Sequence, residues 1–183
     1  VFMNIKKSLK STKFKILEIK KLKINKIIEI NIKNKKNLGS DRIANAIGAK
    51  KFKNCLIIDF GTATTFDVIK NGSYEGGVIA PGVNLSIKNL SQATALLPLI
   101  NLKTHQKNYG KNTIEALNAG FVWGYEGLIN NIIDKIISRS KIKYKILLTG
   151  GYANFFKKMI KKKVVIDQDI TIKGIANAYK ELV

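Results

Sequence analysis

The chain has 183 residues, of which 45% are hydrophobic and 8% aromatic, a composition that is typical of a globular protein and excludes a disordered tail. Its formal net charge of +21 permits two interpretations: a phosphate-binding surface, or a general enrichment in lysine, isoleucine and asparagine. Only Arg42 and Arg139 are arginines, the residue on which bidentate phosphate and base recognition rely. The second interpretation is favoured, and we expect no specific nucleic-acid binding.

The sequence pattern also argues against a membrane protein. Its apolar runs are far shorter than the ~20 residues that span a bilayer, and VFMNIKKSLK is not followed by the apolar stretch of a signal peptide. Cys55 is the only cysteine, which excludes an internal disulfide and fits a reducing compartment. His105, the only histidine, has no metal ligand near it at a suitable spacing, and we expect it at the surface. We therefore expect a cytoplasmic protein with no membrane association.

The first predicted elements are a strand and a helix. The alternation of Ile28, Ile30 and Ile32 predicts a half-exposed strand. Ser40 is the expected N-cap of a helix. The apolar residues that share one face of this helix are Ile43, Ala44 and Ile47.

Three strands and a helix are predicted next. A strand over 55–60 leads through GTATT to a second strand at about 66–70. Asn71-Gly72 is a strong signal for a two-residue hairpin turn. The strand that follows is closed by Pro81-Gly82, and a helix is expected over about 84–93.

A long helix is the clearest element of the second half. Asn112 and Glu115 form a capping pair at its start. Gly120, Gly124 and Gly127 lie on this helix, where we expect them to allow close packing. The apolar residues at helical spacing are Ile114, Leu117, Phe121, Leu128, Ile132 and Ile136.

The remaining pattern alternates strand and helix. YKILLTGG predicts a strand that ends in glycines, followed by a helix near 153–162, a strand over 164–166 and a terminal helix from about 171. Hairpins followed by alternating strands and helices indicate a mixed α/β sheet.

The stretch CLIIDFGTATTFDVI places two acids, a glycine and three threonines within an apolar run. Glycine lets a ligand approach the backbone, successive amides and hydroxyls can surround phosphate oxygens, and Asp59 can hold a cation that offsets phosphate charge. The alternative is an ordinary hairpin in which threonine serves as a strand former. Neither GxxxxGK[ST] nor GxGxxG, the other common phosphate-binding patterns, is present.

Two further motifs stand at helix starts or strand ends. Gly39-Ser40-Asp41-Arg42 either caps a helix with a dipole-favoured acid, or pairs a proton acceptor with an anion clamp. Thr149-Gly150-Gly151 is either a plain strand-to-helix turn or a tight turn that receives a nucleoside. The residues alone leave both pairs of alternatives open.

Taken together and in this order, the motifs resemble those of the type III pantothenate kinases. The matching stretches are GSDRIANAIGA, IIDFGTATTFDVI, GGVIAPGV, TALLP, GKNT and TGG, which run from Gly39 nearly to the end of the chain. The resemblance implies an α/β fold of the actin-like ATPase (ribonuclease H-like) class, in which helices flank a mixed β-sheet and ATP binds between two lobes. It also implies a homodimer.

The activity implied by the resemblance is transfer of the γ-phosphate of ATP to pantothenate, which gives 4'-phosphopantothenate in the first step of coenzyme A biosynthesis. Asp41 would be the catalytic base, Asp59 would bind a monovalent cation (K⁺ or NH₄⁺), and Thr62 would contact ATP, which carries Mg²⁺. The residues that would bind pantothenate are Gly39, Ser40, Asp41, Arg42 and Thr113.

One family motif has no match in these residues, namely the D-x-G-N-T phosphate loop of the first lobe. We therefore expect residues 1–38 to be a remnant of the N-terminal lobe and residues 39–183 to form the C-terminal lobe. Two functions stay open: a pantothenate kinase, or a catalytically inactive truncated relative or regulator of the Bvg accessory factor type. Because half of the phosphate-binding apparatus is missing, residues 1–183 alone are expected to bind ATP weakly and to phosphorylate no measurable pantothenate.

Overall fold

A computed structural model describes residues 16–104 and 108–182. The predictions made for VFMNIKKSLK and for His105 lie outside these described residues. The five strands form one sheet in the order β3-β2-β1-β4-β5. β1 pairs antiparallel with β2 and parallel with β4, β2 pairs antiparallel with β3, and β4 pairs parallel with β5. The mixed α/β sheet flanked by helices, expected for an actin-like lobe, is confirmed.

The strand predictions from residue 55 onward are confirmed except at one boundary. The second strand begins at Ala63 rather than near residue 66, because the threonines that follow the β1 turn already pair with Asp59 and Phe60. Asn71 (φ 51°) and Gly72 (φ 84°) form the predicted hairpin turn. The strands are β1 (Cys55–Phe60), β2 (Ala63–Lys70), β3 (Ser73–Pro81), β4 (Lys145–Gly150) and β5 (Val164–Ile166).

Each predicted helix is present, with two differences at the ends. Gly39, not Ser40, is the N-cap of the first helix, and Ser40 is already helical. The helix predicted over 153–162 ends at Phe156 and continues only as a 3₁₀ turn, Lys157–Met159. The helices are α1 (Ser40–Gly48), α2 (Val83–Gln92), α3 (Thr113–Ser140), α4 (Ala153–Phe156) and α5 (Ile170–Leu182).

The start of α3 forms as its capping pair predicts. The Asn112 side chain accepts a hydrogen bond from the Glu115 amide at 3.0 Å, and the Glu115 carboxylate accepts one from the Lys111 amide at 2.9 Å. The expectation that the α3 glycines allow close packing is wrong within the described chain, where no neighbouring atom lies near Gly120 or Gly124. No helix of the described residues is both long and apolar enough to span a bilayer.

The strand predicted around Ile28–Ile32 is reduced to a single bridge between Ile30 and Tyr74. The alternation correctly indicates the buried side, since Ile28 and Ile30 are buried and Glu29 is exposed. Pairing does not continue because β3 changes register after Tyr74, and Gly76 adopts a φ of 122° that turns the backbone away from an ideal strand. The alternation in the sequence therefore correctly predicted which side chains are buried, but not whether the segment pairs as a strand.

Helices cover both faces of the sheet, and each face has its own core. α1 and α5 pack on the face that we call the α1/α5 face, which carries Cys55, Ile57 and Leu147. α2, α3 and α4 pack on the opposite α3 face, whose core includes the strand residues Leu56, Ile58, Phe60, Phe66, Ile146 and Leu148. Successive residues of β1 therefore alternate between two buried faces, which explains why the strand is apolar at every position except Asp59.

Candidate active site

Three polar residues of CLIIDFGTATTFDVI, namely Asp59, Thr65 and Asp67, lie on the α1/α5 face. Asp59 lies opposite Thr65 of β2 and Thr149 of β4, and Asp67 of β2 lies opposite Ile57. Because Asp59 follows Cys55 and Ile57 at a period of two, the same face is apolar at one end and polar at the other. The abrupt change of residue type therefore marks the point on this face where the packed core ends and the polar cluster begins.

Helix α1 begins at this polar end and brings Asp41 to it. Asp41 is exposed, and its Oδ1 lies where a side chain on Gly39 would begin. Gly39 has an ordinary φ of −60°, so it is required here for space and not for backbone conformation. The glycine thus lets the Asp41 carboxylate fold back over the helix start.

Asp59 is held from one side by the helices above it. Asn45 of α1, fully buried, donates from Nδ2 to Asp59 Oδ2 at 2.9 Å, and Thr171 of α5 donates to Asn45 Oδ1 at 2.6 Å. The other oxygen, Oδ1, lies beside Gly150, whose φ of 84° suits only glycine well. Burial raises the pKa of Asp59, the Asn45 hydrogen bond lowers it, and the nearby Asp41 carboxylate raises it.

Arg42 faces a second buried acid. Its Nε donates to Asp67 Oδ1 at 2.7 Å, and the hydroxyl of Tyr74 donates to the same oxygen at 2.8 Å. The guanidinium carbon lies 5.9 Å from the centre of the Tyr74 ring. Burial raises the pKa of Asp67 to about 6, although Arg42 and Tyr74 both hold it lower than burial alone would.

Thr62 occupies the turn between β1 and β2. Both Gly61 and Thr62 are exposed, and the turn is closed by a hydrogen bond from the Gly61 amide to the Ala63 carbonyl at 3.1 Å. Gly82, at the start of α2, lies against the backbone carbonyl of Thr62 with no room for a side chain. The backbone of the turn is therefore fixed by Gly82, while Gly61 and Thr62 remain exposed.

Thr113 is the one predicted site residue that the structure does not bring to this cluster. It is the exposed first residue of α3, and it lines an apolar groove of about 410 Å³ together with Leu90, Leu97 and Phe121. None of the residues Gly39 to Arg42 lines that groove.

The cluster offers acid–base and cation-binding chemistry but no multi-ligand metal cage. Within residues 16–104 and 108–182, no three His, Cys, Asp or Glu side chains come together as a metal site. Asp59 Oδ1 is a single carboxylate oxygen beside backbone groups of Gly61 and Gly150, which fits a weakly held hard cation. Cys55 is not a nucleophile at neutral pH, because burial raises its pKa to about 12.

A family model described as type III pantothenate kinase matches residues 2–135, more than half of the chain. The chain belongs to the type III pantothenate kinase family. A type III pantothenate kinase from Pelagibacter ubique is 52% identical over 167 residues, which cover 91% of this chain and 67% of the relative. Another from Ruegeria is 38% identical over 156 residues, or 84% of this chain and 60% of the relative. The chain thus spans about two thirds or less of the length of these relatives.

A solved structure shares the fold of almost the whole chain. It is described as a conserved putative Baf family transcriptional activator from Campylobacter jejuni, with a TM-score of 0.67 and 25% identity, and it covers 97% of this chain and 78% of its own.

Four site residues were not predicted from the sequence: Asn45, Asp67, Tyr74 and Thr171. Asn45 follows Asp41 at a helical spacing of four, which places both on one face of α1 and was a usable signal. Asp67 follows Thr65 at the strand spacing of two, which likewise gives its face. Thr171 comes from a distant part of the chain, and the contact of Tyr74 with Asp67 depends on the register change between β2 and β3, which no local pattern indicates.

Proposed function

We propose that this chain carries the substrate and cation sites of a pantothenate kinase, which transfers the γ-phosphoryl group of ATP to the primary hydroxyl of pantothenate. Residues 39–183 would form the lobe with these sites, and residues 1–38 would belong to the neighbouring lobe. The observation that carries the proposal is the exposed Asp41 carboxylate at the start of α1, next to Arg42 in the chain and near enough to Asp59 of β1 to raise the pKa of that acid.

Asp41 acts as the base in this proposal. Phosphoryl transfer passes through a loose transition state, so the enzyme mainly positions the reactants and offsets charge. Asp41 accepts the hydroxyl proton of pantothenate as the new oxygen–phosphorus bond completes. Its exposure supports this role, because a substrate hydroxyl can reach an exposed carboxylate without displacing a protein partner.

The other residues of the proposed site position the two substrates and hold a cation that offsets phosphate charge. Gly39, Ser40 and Arg42 hold pantothenate, and Thr62 contacts ATP through an exposed turn. Asp59 holds K⁺ or NH₄⁺ through its Oδ1, the oxygen that Asn45 leaves unbonded. Such a cation, together with the Mg²⁺ of MgATP, supplies fixed positive charge near the phosphates.

Thr113 and the exposed face of α3 support a homodimer. Thr113 lies in a groove that none of the other predicted site residues of the same copy lines. Gly120, Gly124 and Gly127 are exposed and leave α3 open to close approach, and Trp123 on the same helix is 43% exposed. A second copy packed on α3 would cover this surface. The lone, buried Cys55 supports a cytoplasmic location.

The test is formation of 4'-phosphopantothenate from pantothenate, MgATP and KCl. It is run with residues 1–183 and with the same chain joined, in native order, to the part of the Pelagibacter ubique relative outside the matched region. We expect product from the joined form. If neither form makes product while the relative itself does, the kinase proposal fails.

A regulatory function is the second candidate, because the solved structure described as a Baf family transcriptional activator covers 97% of this chain. The same assay separates the two: a regulator gives no product in either form. Salt-dependent binding to DNA without sequence preference would reflect the +21 charge alone and would not support regulation.

A further inference from the structure

Asp67 is a buried carboxylate that has no role in the proposed reaction. It is fully buried in the middle of β2, where an uncompensated charge is costly. Its oxygens accept from Arg42 Nε at 2.7 Å, from the Tyr74 hydroxyl at 2.8 Å and, at the limit of a hydrogen bond, from the Thr65 hydroxyl at 3.5 Å. Three donors thus converge on one buried acid.

The hydrogen bond between Arg42 and Asp67 uses Nε and not the two terminal amino groups of the guanidinium. Among the described residues, Asp67 is the carboxylate that pairs with Arg42, and Tyr74 also lies beside the guanidinium. One of the terminal amino groups, Nη2, lies 2.6 Å from the position that a side chain on Gly77 would take, so the glycine makes room for it. The guanidinium lines a pocket of about 290 Å³ beside Asn34 and Ile79.

We propose that Asp67 is a positioning residue, which fixes Arg42 through Nε so that its two terminal amino groups present a fork to the carboxylate of pantothenate. A guanidinium fork binds a carboxylate well only when its plane is fixed. The inference rests on the proposed function, because it takes pantothenate as the ligand.

Tyr74 makes the anchor rigid. It is buried, and its backbone amide donates to the Glu29 carbonyl at 2.8 Å while its hydroxyl reaches Asp67. Its ring also lies beside the Arg42 guanidinium, which limits rotation of the plane. Rotamers locked by packing and by a second layer of hydrogen bonds hold a binding group in place.

The first experiment needs no ligand, because the chain has only two arginines, Arg42 and Arg139. In a proton–nitrogen spectrum of the arginine side chains, Arg42→Lys identifies the Arg42 Nε–H signal. We expect this signal to exchange slowly with water in the unaltered chain and rapidly in Asp67→Asn. An Arg42 signal that exchanges as fast as that of Arg139 in the unaltered chain would overturn the anchor, whether or not Asp67→Asn folds.

The second experiment measures dissociation constants for pantothenate and for pantothenyl alcohol, which lacks the carboxylate. We expect Asp67→Asn to weaken pantothenate binding by about tenfold or more, the usual range for a hydrogen bond to a charged group, and to leave the alcohol unaffected. Tyr74→Phe, which keeps the ring, should have a smaller effect in the same direction. Thr65→Ala, which removes only the 3.5 Å contact, is the control and should have no effect.

In the active enzyme, the KM for pantothenate should rise in Asp67→Asn while kcat changes less, because binding and not proton transfer is impaired. If the unaltered chain binds pantothenate and Asp67→Asn binds it equally or more tightly, this inference fails and the proposed function stands. If the unaltered chain binds no pantothenate, the proposed function fails together with the ligand assigned here.

Discussion

The two faces of the sheet are built by the same strands but carry different chemistry. The α3 face is apolar and aromatic, with Phe60 and Phe156 stacked at 5.5 Å between centroids. The α1/α5 face is apolar near Cys55 and polar near Asp59, where a carboxylate and the Asn45 side-chain amide are hydrogen-bonded to each other. A change on the first face should therefore cost stability, whereas a change at the polar end of the second should cost function.

This division follows from the burial of both faces. A face without ligands gains most by close packing, since each cavity there costs transfer and packing energy. A face that must bind charged substrates keeps polar groups despite their desolvation cost, and satisfies them with internal partners such as Asn45 and Arg42. The comparison predicts which measurement each substitution should change.

The largest effect is expected from Phe156→Ala on the α3 face. Phe156 is fully buried and contacts the rings of Phe60, Phe155 and Tyr125. Its truncation should lower the free energy of unfolding by about 3–5 kcal/mol, measured by urea denaturation. Phe155→Ala, at a half-buried position, is the control and should cost less. A loss below about 1 kcal/mol for Phe156→Ala would contradict the assignment of this face to stability.

Asp41→Asn should have the largest effect on function. Loss of the base should lower turnover of pantothenate by about 10²-fold or more, in whichever form of the chain is active. Because Asp41 is exposed, the free energy of unfolding should change by less than about 0.5 kcal/mol. Asp134→Asn, an exposed acid on α3, is the control for charge. Rates within a few-fold of the unaltered enzyme would exclude Asp41 as the base.

The buried acid of the α1/α5 face should make stability depend on pH. The pKa of Asp67 is raised from 3.8 to about 6, so the folded chain binds this proton more tightly than the unfolded chain. The free energy of unfolding should therefore fall, by on the order of 2 kcal/mol, as pH rises from about 4 to about 6. Asp67→Asn should remove this part of the pH dependence, and Phe156→Ala should leave it intact. Equal pH profiles for Asp67→Asn and the unaltered chain would contradict the prediction.

Asp59→Ala should abolish activation by potassium. At fixed ionic strength, KCl or NH₄Cl should raise turnover of the unaltered site by about tenfold over NaCl, the scale of one fixed charge near the transferred phosphoryl group. In Asp59→Ala the three salts should give equal rates, while Asp134→Ala should respond as the unaltered enzyme does. A potassium response that survives in Asp59→Ala would place the cation elsewhere.

The smallest effect is expected from Gly39→Ala. The added methyl group would contact Asp41 Oδ1, a side chain that can rotate away, so turnover should fall by a few-fold, about 1 kcal/mol, with little loss of stability. The control is Asn89→Ala, at an exposed position of α2, which should stabilise that helix slightly. Full activity in Gly39→Ala would show that the Asp41 carboxylate does not need this space.

Local pattern predicted most of the fold. The capping pair of Asn112 and Glu115, the hairpin turn at Asn71-Gly72 and the alternation in β1 each depend on a few neighbouring residues, so they could be recognised in the sequence. One error arose from a distant partner, and another from the tightness of the turn between β1 and β2. Pairing of Ile28–Ile32 stops because of the register change in β3, and β2 begins early because its first threonines find partners in β1.

The sequence by itself determined the family and the candidate residues, because short motifs and their order along the chain can be recognised without knowledge of the fold. It also determined which residues share a face, since the periods of helix and strand fix the direction of each side chain. Only the tertiary structure decided the partners: Thr171 supports Asn45 across 126 positions, and Tyr74 meets Asp67 because β2 and β3 form a hairpin. These contacts depend on how helices and strands pack, which no local pattern of residues contains.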